Sequence, residues 1–152
     1  MADHSIRTAQ RADLDLISPL FDAYRQFYGR PPDPEGSRGF LRERLEGGDS
    51  TIFIAFDGRT PTGFCQLYPS FSSVSIARIL ILNDLFVTPV GRRRGVGREL
   101  LHKAAEYGSS IGATRLTLTT GLENHPAQGL YRNCGWEQDR EFLTFNLQIP
   151  GR

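Results

Sequence analysis

Residues 87–100 read VTPVGRRRGVGREL, and this stretch joins a strand-like apolar run to a helical pattern. Glycines stand at positions 91, 95 and 97, around an arginine run at 92–94. Glycine is used where the backbone must take a positive φ or lie close to another group. Arginine is unexpected at a helix start, because the helix dipole already makes that end positive. The combination predicts that the loop holds an anion.

The loop differs from two well-known phosphate-binding loops. A P-loop needs a Gly-Lys-Ser/Thr ending that the stretch lacks, and a dinucleotide fingerprint needs a third glycine where Leu100 stands. What remains is an R-x-x-G-x-G pattern from Arg92 to Gly97, between a strand and a helix. Backbone N–H groups converge at such a turn, and the helix dipole adds to their attraction for an anion. A diphosphate suits this arrangement.

Length and composition limit the class of protein. The chain has 152 residues, 39% hydrophobic and 23% charged, which predicts one globular domain over residues 1–152. A net charge of +1 provides no overall field for nucleic acid or anionic membranes. We find no signal peptide and no apolar run of membrane-spanning length. Two cysteines, Cys65 and Cys134, lack metal-ligand spacing and favour a reduced compartment, so a cytoplasmic protein without a metal is expected.

Hydrophobic periodicity predicts the order of elements along the chain. The predicted helices cover residues 12–28, 40–45, 96–111 and 126–133, and the predicted strands cover residues 5–9, 51–56, 62–68, 75–87, 114–120 and 141–149. The order βααβββαβαβ indicates a mixed α/β domain with at least one parallel crossover.

Two polar residues interrupt the apolar strand that precedes the loop. Residues 78–87 are almost wholly apolar, which is typical of a strand covered on both faces, except at Asn83 and Asp84. Burying an amide and a carboxylate is costly unless both find partners. Either they are satisfied at a strand end or bulge, or they line a catalytic cleft in which a carboxylate of shifted pKa acts as a base.

Two stretches together carry a family resemblance. Residues 82–101, LNDLFVTPVGRRRGVGRELL, resemble the acyl-CoA-binding motif of the GNAT superfamily of N-acetyltransferases. Residues 123–136, ENHPAQGLYRNCGW, are similar to the family's second motif, N-x-x-A-x-x-x-Y-x-x-x-G-F. Its positions are occupied by Asn124, Ala127, Tyr131 and Gly135, with Trp136 in place of the usual Phe. The likeness extends to the element order over nearly the whole chain.

The resemblance implies a GNAT-like α/β fold, with a mixed sheet of six to seven strands and about four helices. It also implies acetyl-CoA as the cofactor, with its diphosphate on the loop and its pantetheine arm along the preceding strand. The residues so assigned to the cofactor are Leu85, Phe86, Val87, Arg92, Arg93, Arg94, Gly95, Val96, Gly97, Arg98, Asn124, Ala127 and Tyr131. A strand N–H near Phe86 or Val87 is expected to bind the thioester oxygen. Arg93 and Arg94 either reach phosphates or are solvated.

The resemblance implies transfer of an acetyl group to a primary amine. We assign Asp84 as the candidate base and Tyr131 as the candidate acid that protonates the departing thiolate. The alternative for Tyr131 is a purely packing role. Direct transfer is expected, because no activated nucleophile pair is visible. Cys134 is interpreted as a small core residue and His125 as part of a helix cap.

The acceptor stays open at the level of sequence. In GNAT-like proteins the segment between the first two helices borders the acceptor site, which implicates Tyr28, Arg30 and Asp33. A small amine is the expected acceptor; a protein or peptide amine and a non-catalytic acyl-CoA-binding member are the alternatives. An unrelated α/β binding domain would require both motifs to be coincidental. Homodimers are common in the family, so a second copy of the chain is among the partners that the resemblance implies.

Overall fold

The computed structural model describes residues 4–151. Five strands and four helices follow one another in the order βααβββαβα, with short 3-10 turns at Arg11–Asp13 and Pro89–Gly91. The strands are β1 (His4–Thr8), β2 (Thr51–Asp57), β3 (Thr60–Ser72), β4 (Ala77–Val87) and β5 (Leu116–Thr117). The helices are α1 (Leu14–Phe27), α2 (Pro34–Gly47), α3 (Val96–Ser110) and α4 (His125–Asn133). None of the helices in residues 4–151 has both the length and the apolarity needed to cross a membrane.

The strands form one sheet in the order β1-β2-β3-β4-β5. The first three pairings are antiparallel, and β4 pairs with β5 in parallel through Leu80–Leu116 and Ile81–Thr117. Helix α3 is the crossover that a parallel pair requires. The predicted mixed α/β fold with a parallel crossover is confirmed.

The core lies on both faces of this sheet. Side chains alternate along β2, so that Ile54 belongs to the cluster beneath α1 and α2, whereas Phe53 belongs to the cluster beneath α3. Leu41 of α2 and Leu100 of α3 are fully buried, one in each cluster. Because helices cover both faces of the sheet, its central strands have nearly continuous apolar sequences.

Three predicted elements differ from the structure by more than a few residues. The sheet has five strands, not six or seven, because residues 141–149 do not pair with it, although their alternation predicts a strand. Strand β5 comprises only Leu116 and Thr117 of the predicted 114–120. Residues 114 and 115 also bond to β4, through the Thr114 N–H to the Arg78 carbonyl at 2.9 Å and the Leu80 N–H to the Arg115 carbonyl at 3.1 Å. Helix α2 begins at Pro34 rather than Phe40, because Asp33 caps it by accepting the Gly36 N–H at 2.9 Å.

A buried carboxylate, Asp22, joins α1 to the start of α2. It accepts the Asp33 N–H at 3.0 Å, the Ser37 hydroxyl at 2.8 Å and the Gln26 amide at 3.0 Å. These hydrogen bonds, led by the one from the Asp33 backbone, hold the pKa of Asp22 below its usual range despite burial. The ionised form of Asp22 therefore stabilises the junction that shapes the cleft described below.

We expect Asp22→Asn to lower the free energy of unfolding by about 1.5 kcal/mol at neutral pH, because hydrogen bonds to a charged acceptor are lost. Since the folded-state pKa is lowered, this stabilisation is present above the unfolded pKa of about 3.9 and is lost as the pH falls through the folded value. Urea unfolding at neutral and acidic pH measures the difference. Asp15→Asn is the matched control on the same helix, because Asp15 is exposed and its Arg38 ion pair contributes little. Equal losses in both variants would contradict the assignment.

Candidate active site

A β-bulge in β4 brings the two polar residues of this strand to the surface of a cleft. Gln66 of β3 lies opposite Asp84, and Leu67 lies opposite Leu82, so Asn83 has no counterpart. A bulge bends a strand and redirects its side chains. The Asn83 carbonyl accepts the Tyr24 hydroxyl of α1 at 3.1 Å, which fixes the helix against the bulge.

Asp84 is 1% exposed and is held by two side-chain amides. The Gln66 Nε2 donates to one carboxylate oxygen at 2.6 Å, and the Asn83 Nδ2 donates to the other at 2.8 Å. Burial raises the pKa of Asp84, although these hydrogen bonds and the nearby Tyr24 act in the opposite direction. A carboxylate whose pKa is raised by burial binds a proton more readily than an exposed one, which suits general-base chemistry.

A cleft of about 330 Å³ opens above Asp84, between α1, α2 and the bulge. Its walls are aromatic, formed by Phe21, Tyr24, Phe40 and Tyr68, and Asp33 and Asp84 are among its polar lining residues. Burial raises the pKa of Tyr68 to about 12 and raises that of Tyr24 well above the usual value, so both phenols are neutral donors. Aromatic faces and carboxylates together favour a cationic guest.

The second edge of β4 is open beyond its short pairing with β5. The Thr88 N–H bonds the Thr62 carbonyl at 2.9 Å toward β3. Hydrogen-bonding direction alternates along a strand, so Phe86 also faces β3, whereas Leu85 and Val87 direct their N–H groups to the open edge. The oxyanion donor expected near Phe86 or Val87 is therefore better placed at Val87.

The glycine loop presents a run of backbone N–H groups. Arg93 and Gly95 have positive φ values of 63° and 79°, and α3 begins directly after them at Val96. Within residues 4–151, the N–H groups from Arg93 to Arg98 have no backbone or side-chain acceptor outside the helix ladder. The first turn of a helix leaves its own N–H groups free. This arrangement, called the cradle below, is suited to an anion.

The loop arginines are not equivalent. The Arg92 Nε donates to the Val87 carbonyl at 3.1 Å, and its guanidinium lies over the Phe86 ring. Arg94 pairs with Asp57 at 3.4 Å. Among the residues that the structure covers, Arg93 and Arg98 have no acidic partner. Arg92 thus acts through its packing and backbone, and Arg93 and Arg98 keep their charges available.

The second motif packs against the first. Asn124 caps α4 by accepting the Ala127 N–H at 3.3 Å. A Cβ placed on Gly97 would lie 3.0 Å from the Leu130 side chain, so α4 approaches the first turn of α3 closely. Tyr131 and Leu130 both pack partly against the α3-side cluster. The two motifs meet beyond the β4–β5 pairing, where the two strands are no longer hydrogen-bonded to each other.

Tyr131 is half-buried and neutral. Burial raises the pKa of its phenol, and the nearby Tyr28 phenol adds to this rise, although the Thr120 hydroxyl opposes it. Its ring packs on Trp136, with centroids 6.1 Å apart. A neutral phenol at this junction is able to donate a proton.

The residues proposed for the acceptor lie in different surroundings. Asp33 lines the cleft, but its carboxylate is engaged in capping α2. Tyr28 is half-exposed, packs edge-on against Tyr24 at 5.1 Å and influences Tyr131, which places it between the cleft and α4. Arg30 is exposed and outside the cleft. Sequence reasoning missed the walls formed by Phe40 and Tyr68, because an apolar stripe does not separate cleft-lining aromatics from core ones.

The cysteines and His125, which were also candidates for chemistry, have structural roles. Cys65 is buried, and burial raises the pKa of its thiol to about 12, which makes it inert at neutral pH. Cys134 caps the end of α4 and packs against the α3-side cluster, and His125 is the first residue of α4. No three His, Cys, Asp or Glu side chains cluster as a metal site within residues 4–151.

Comparisons with known proteins fit this geometry. The model of the acetyltransferase (GNAT) family matches residues 17–136. The chain is 45% identical over 148 residues to the uncharacterized N-acetyltransferase YhfO of Bacillus subtilis, covering 97% of this chain and 99% of that protein. It is 30% identical over 147 residues to the D-amino-acid N-acetyltransferase HPA3 of Saccharomyces cerevisiae, covering 93% and 89% of the two chains. A crystal structure of a probable acetyltransferase superposes with a TM-score of 0.91 at 41% identity, covering 97% and 99% of the two chains.

Proposed function

The chain belongs to the GNAT family of acetyltransferases, and on that premise we propose that it transfers the acetyl group of acetyl-CoA directly to the primary amine of a small molecule. The observation that carries the proposal is the aromatic cleft that ends at the buried carboxylate of Asp84. The cleft lies beside the bulge, on the strand whose open edge leads to the N–H cradle. The candidate base and the strand N–H groups offered to the cofactor thus lie on β4, which also forms one side of the cleft.

The chain's own groups fit acetyl-CoA. The free N–H groups from Arg93 to Arg98 suit a diphosphate, and the charges of Arg93 and Arg98 add to the attraction. The open N–H groups of Leu85 and Val87 pair with an amide chain as a sheet edge pairs with an added strand. When bound, acetyl-CoA supplies the acetyl group as a thioester. The Val87 N–H stabilises negative charge on the thioester oxygen.

Two side chains move protons in the proposed reaction. The carboxylate of Asp84 removes a proton from the acceptor ammonium, directly or through water, because an amine attacks only in its free form. The hydroxyl of Tyr131 would give its proton to the sulfur that leaves the acetyl group. The Gln66 and Asn83 amides hold the Asp84 carboxylate toward the cleft without a competing positive charge. No nucleophilic side chain is needed.

Cleft size and wall chemistry support a small acceptor. A volume of about 330 Å³ is at the lower end of small-molecule sites. Tyr24, Phe40 and Tyr68 offer ring faces to a cationic amine or to its carbon skeleton. The yeast relative is named a D-amino-acid N-acetyltransferase, and an acceptor of that size would fit the cleft.

An amine panel with acetyl-CoA tests the proposal by monitoring free thiol release. We expect turnover with at least one small primary amine, and none with a peptide that represents a protein N-terminus. Acetyl-CoA binding without turnover on a broad panel would favour the non-catalytic alternative. Turnover restricted to peptides would favour the protein-acetylating alternative.

The cradle has a matched internal control. Gly95 and Gly48 both have positive φ, 79° and 63°, and a Cβ at either position meets nothing within 4 Å. Gly95→Ala and Gly48→Ala should each cost about 1 kcal/mol of stability, because an L-residue is strained in this region. Only Gly95→Ala moves the cradle N–H groups, so we expect calorimetry to show about a 10-fold loss of acetyl-CoA affinity in that variant alone. Unchanged acetyl-CoA affinity in Gly95→Ala would contradict the assignment of diphosphate binding to this loop.

A further inference from the structure

The aromatic walls of the cleft are not equally engaged by the rest of the chain. The Phe21 and Phe40 rings stack on each other with centroids 5.5 Å apart, and the Arg44 guanidinium lies 4.7 Å from the centroid of Phe40. The Tyr24 hydroxyl is already bonded to the Asn83 carbonyl at 3.1 Å. These three walls shape the cleft, but none of them offers an unused hydrogen-bond donor.

Tyr68 is the wall residue whose groups are unused. Its side chain is partly exposed, and among residues 4–151 its ring joins no aromatic pair and its hydroxyl has no hydrogen-bond partner. Burial, followed by the charge of Asp84, raises the pKa of Tyr68 to about 12, so the phenol keeps its proton at neutral pH. A neutral phenol donates one hydrogen bond. The cleft therefore contains one donor that the chain itself does not use.

Tyr68 and Asp84 face the same part of the cleft. Gln66 lies opposite Asp84, and Tyr68 follows Gln66 by two residues on β3, so the three side chains lie on one face of the sheet. Two residues along a strand span about 7 Å. Both Tyr68 and Asp84 line the cleft. An acceptor whose amine lies at Asp84 thus reaches Tyr68 with a group several bonds from that amine.

The charges of the cleft favour a neutral group at Tyr68. Asp33 and Asp84 both line the cleft. The lining cation, Arg25, is already paired with Asp22 at 3.6 Å. An anionic group on the acceptor would meet two acidic side chains with no unpaired cation among the lining residues that the structure describes, and like charges repel. A hydroxyl or carbonyl oxygen accepts a hydrogen bond from the phenol without this repulsion.

We propose that the acceptor is a primary amine that carries a neutral hydroxyl or carbonyl oxygen several bonds away, and that Tyr68 is the specificity-determining residue that donates a hydrogen bond to this oxygen. The inference rests on the proposed function, since it places the amine at Asp84. A site that hydrogen-bonds a polar group discriminates against an analogue without it, because the donor of the site is then left unpaired. A plain alkylamine contacts the aromatic walls but leaves the Tyr68 hydroxyl without a partner.

Matched pairs of amines test the inference. The probes 5-amino-1-pentanol and hexylamine differ only in a hydroxyl in place of a methyl group, and 3-amino-1-propanol and butylamine do so at a shorter spacing. With acetyl-CoA, we expect the wild-type kcat/KM to favour at least one amino alcohol over its alkylamine by about 10-fold, mainly through KM. Tyr68→Phe keeps the ring and removes only the hydroxyl, so we expect the preference to disappear. Differences in amine basicity affect both proteins equally and cancel in this comparison.

Tyr107→Phe is the matched control, because its hydroxyl bonds Thr51 between α3 and β2, away from the cleft, and it should keep the wild-type preference. Circular dichroism checks that each variant is folded. NMR titration with the same amines in the presence of CoA measures the binding preference without turnover. No preference for either amino alcohol in the wild-type chain, or the same preference in Tyr68→Phe, would overturn the inference. A binding preference that Tyr68→Phe loses, without turnover of any amine, would support the role of Tyr68 and refute the proposed transfer.

Discussion

Tyr131→Phe lowers kcat by about 10²-fold and leaves acetyl-CoA affinity nearly unchanged, if the hydroxyl protonates the departing sulfur. The substitution keeps the ring, so the contact with Trp136 and the packing of α4 are preserved. A CoA thiol has an ordinary pKa near 8.5, so its thiolate leaves more easily when a proton is supplied. Burial raises the pKa of Tyr131, which keeps the proton on the phenol until it is needed.

Tyr107→Phe is the matched control for this loss. The Tyr107 hydroxyl shares a hydrogen bond of 3.0 Å with the Thr51 hydroxyl, between α3 and β2 and away from the cleft. Its removal costs stability through one hydrogen bond and leaves kcat unchanged. Steady-state kinetics and calorimetry on both variants decide the role. Wild-type turnover in Tyr131→Phe would show that the ring matters and the proton does not.

The fold was predictable because periodicity reports which faces must be buried. Strand β2 and helix α3 follow their predicted positions closely, since each has an apolar pattern that only one element type satisfies. The start of α2 is missed because the prolines at 31, 32 and 34 predict a break after α1, whereas Asp33 followed by Pro34 is also a helix-start signal. The number of strands was wrong for a different reason. Alternation in residues 141–149 predicts a strand with a buried face, but these residues pair with no strand of the sheet.

The candidate site was only partly predictable. The glycine positions identified the loop, because the positive φ at Gly95 and the close approach of another side chain at Gly97 are local requirements that glycine meets. Asp84 was identified because a carboxylate inside an apolar strand is costly. The cleft walls were not found, since Tyr24, Phe40 and Tyr68 are distant in sequence and converge only through the packing of α1 and α2 on the bulge. The catalytic and binding roles of these residues remain predictions.

Asp84 and Asp22 are both buried carboxylates, but their pKa values shift in opposite directions. Hydrogen bonds hold the pKa of Asp22 low, whereas burial raises that of Asp84. A raised folded-state pKa means that the ionised form of Asp84 lowers stability as the pH rises above the unfolded value. Asp84→Asn removes this cost, so we expect no loss in the free energy of unfolding at neutral pH. A structural carboxylate would behave as Asp22 does.

Asp84→Asn should instead lower turnover, by about 10²-fold at neutral pH. In the wild-type chain the carboxylate accepts the proton of the acceptor ammonium once the pH exceeds the raised pKa of Asp84. Without that base, the rate follows the free amine, whose pKa is near about 10, so the rising limb of the pH–rate profile moves to alkaline pH and the deficit shrinks there. Asp22→Asn is the control, since it loses stability and keeps the wild-type profile. An unmoved rising limb in Asp84→Asn, together with reduced stability, would return Asp84 to the role of a satisfied polar residue at a bulge.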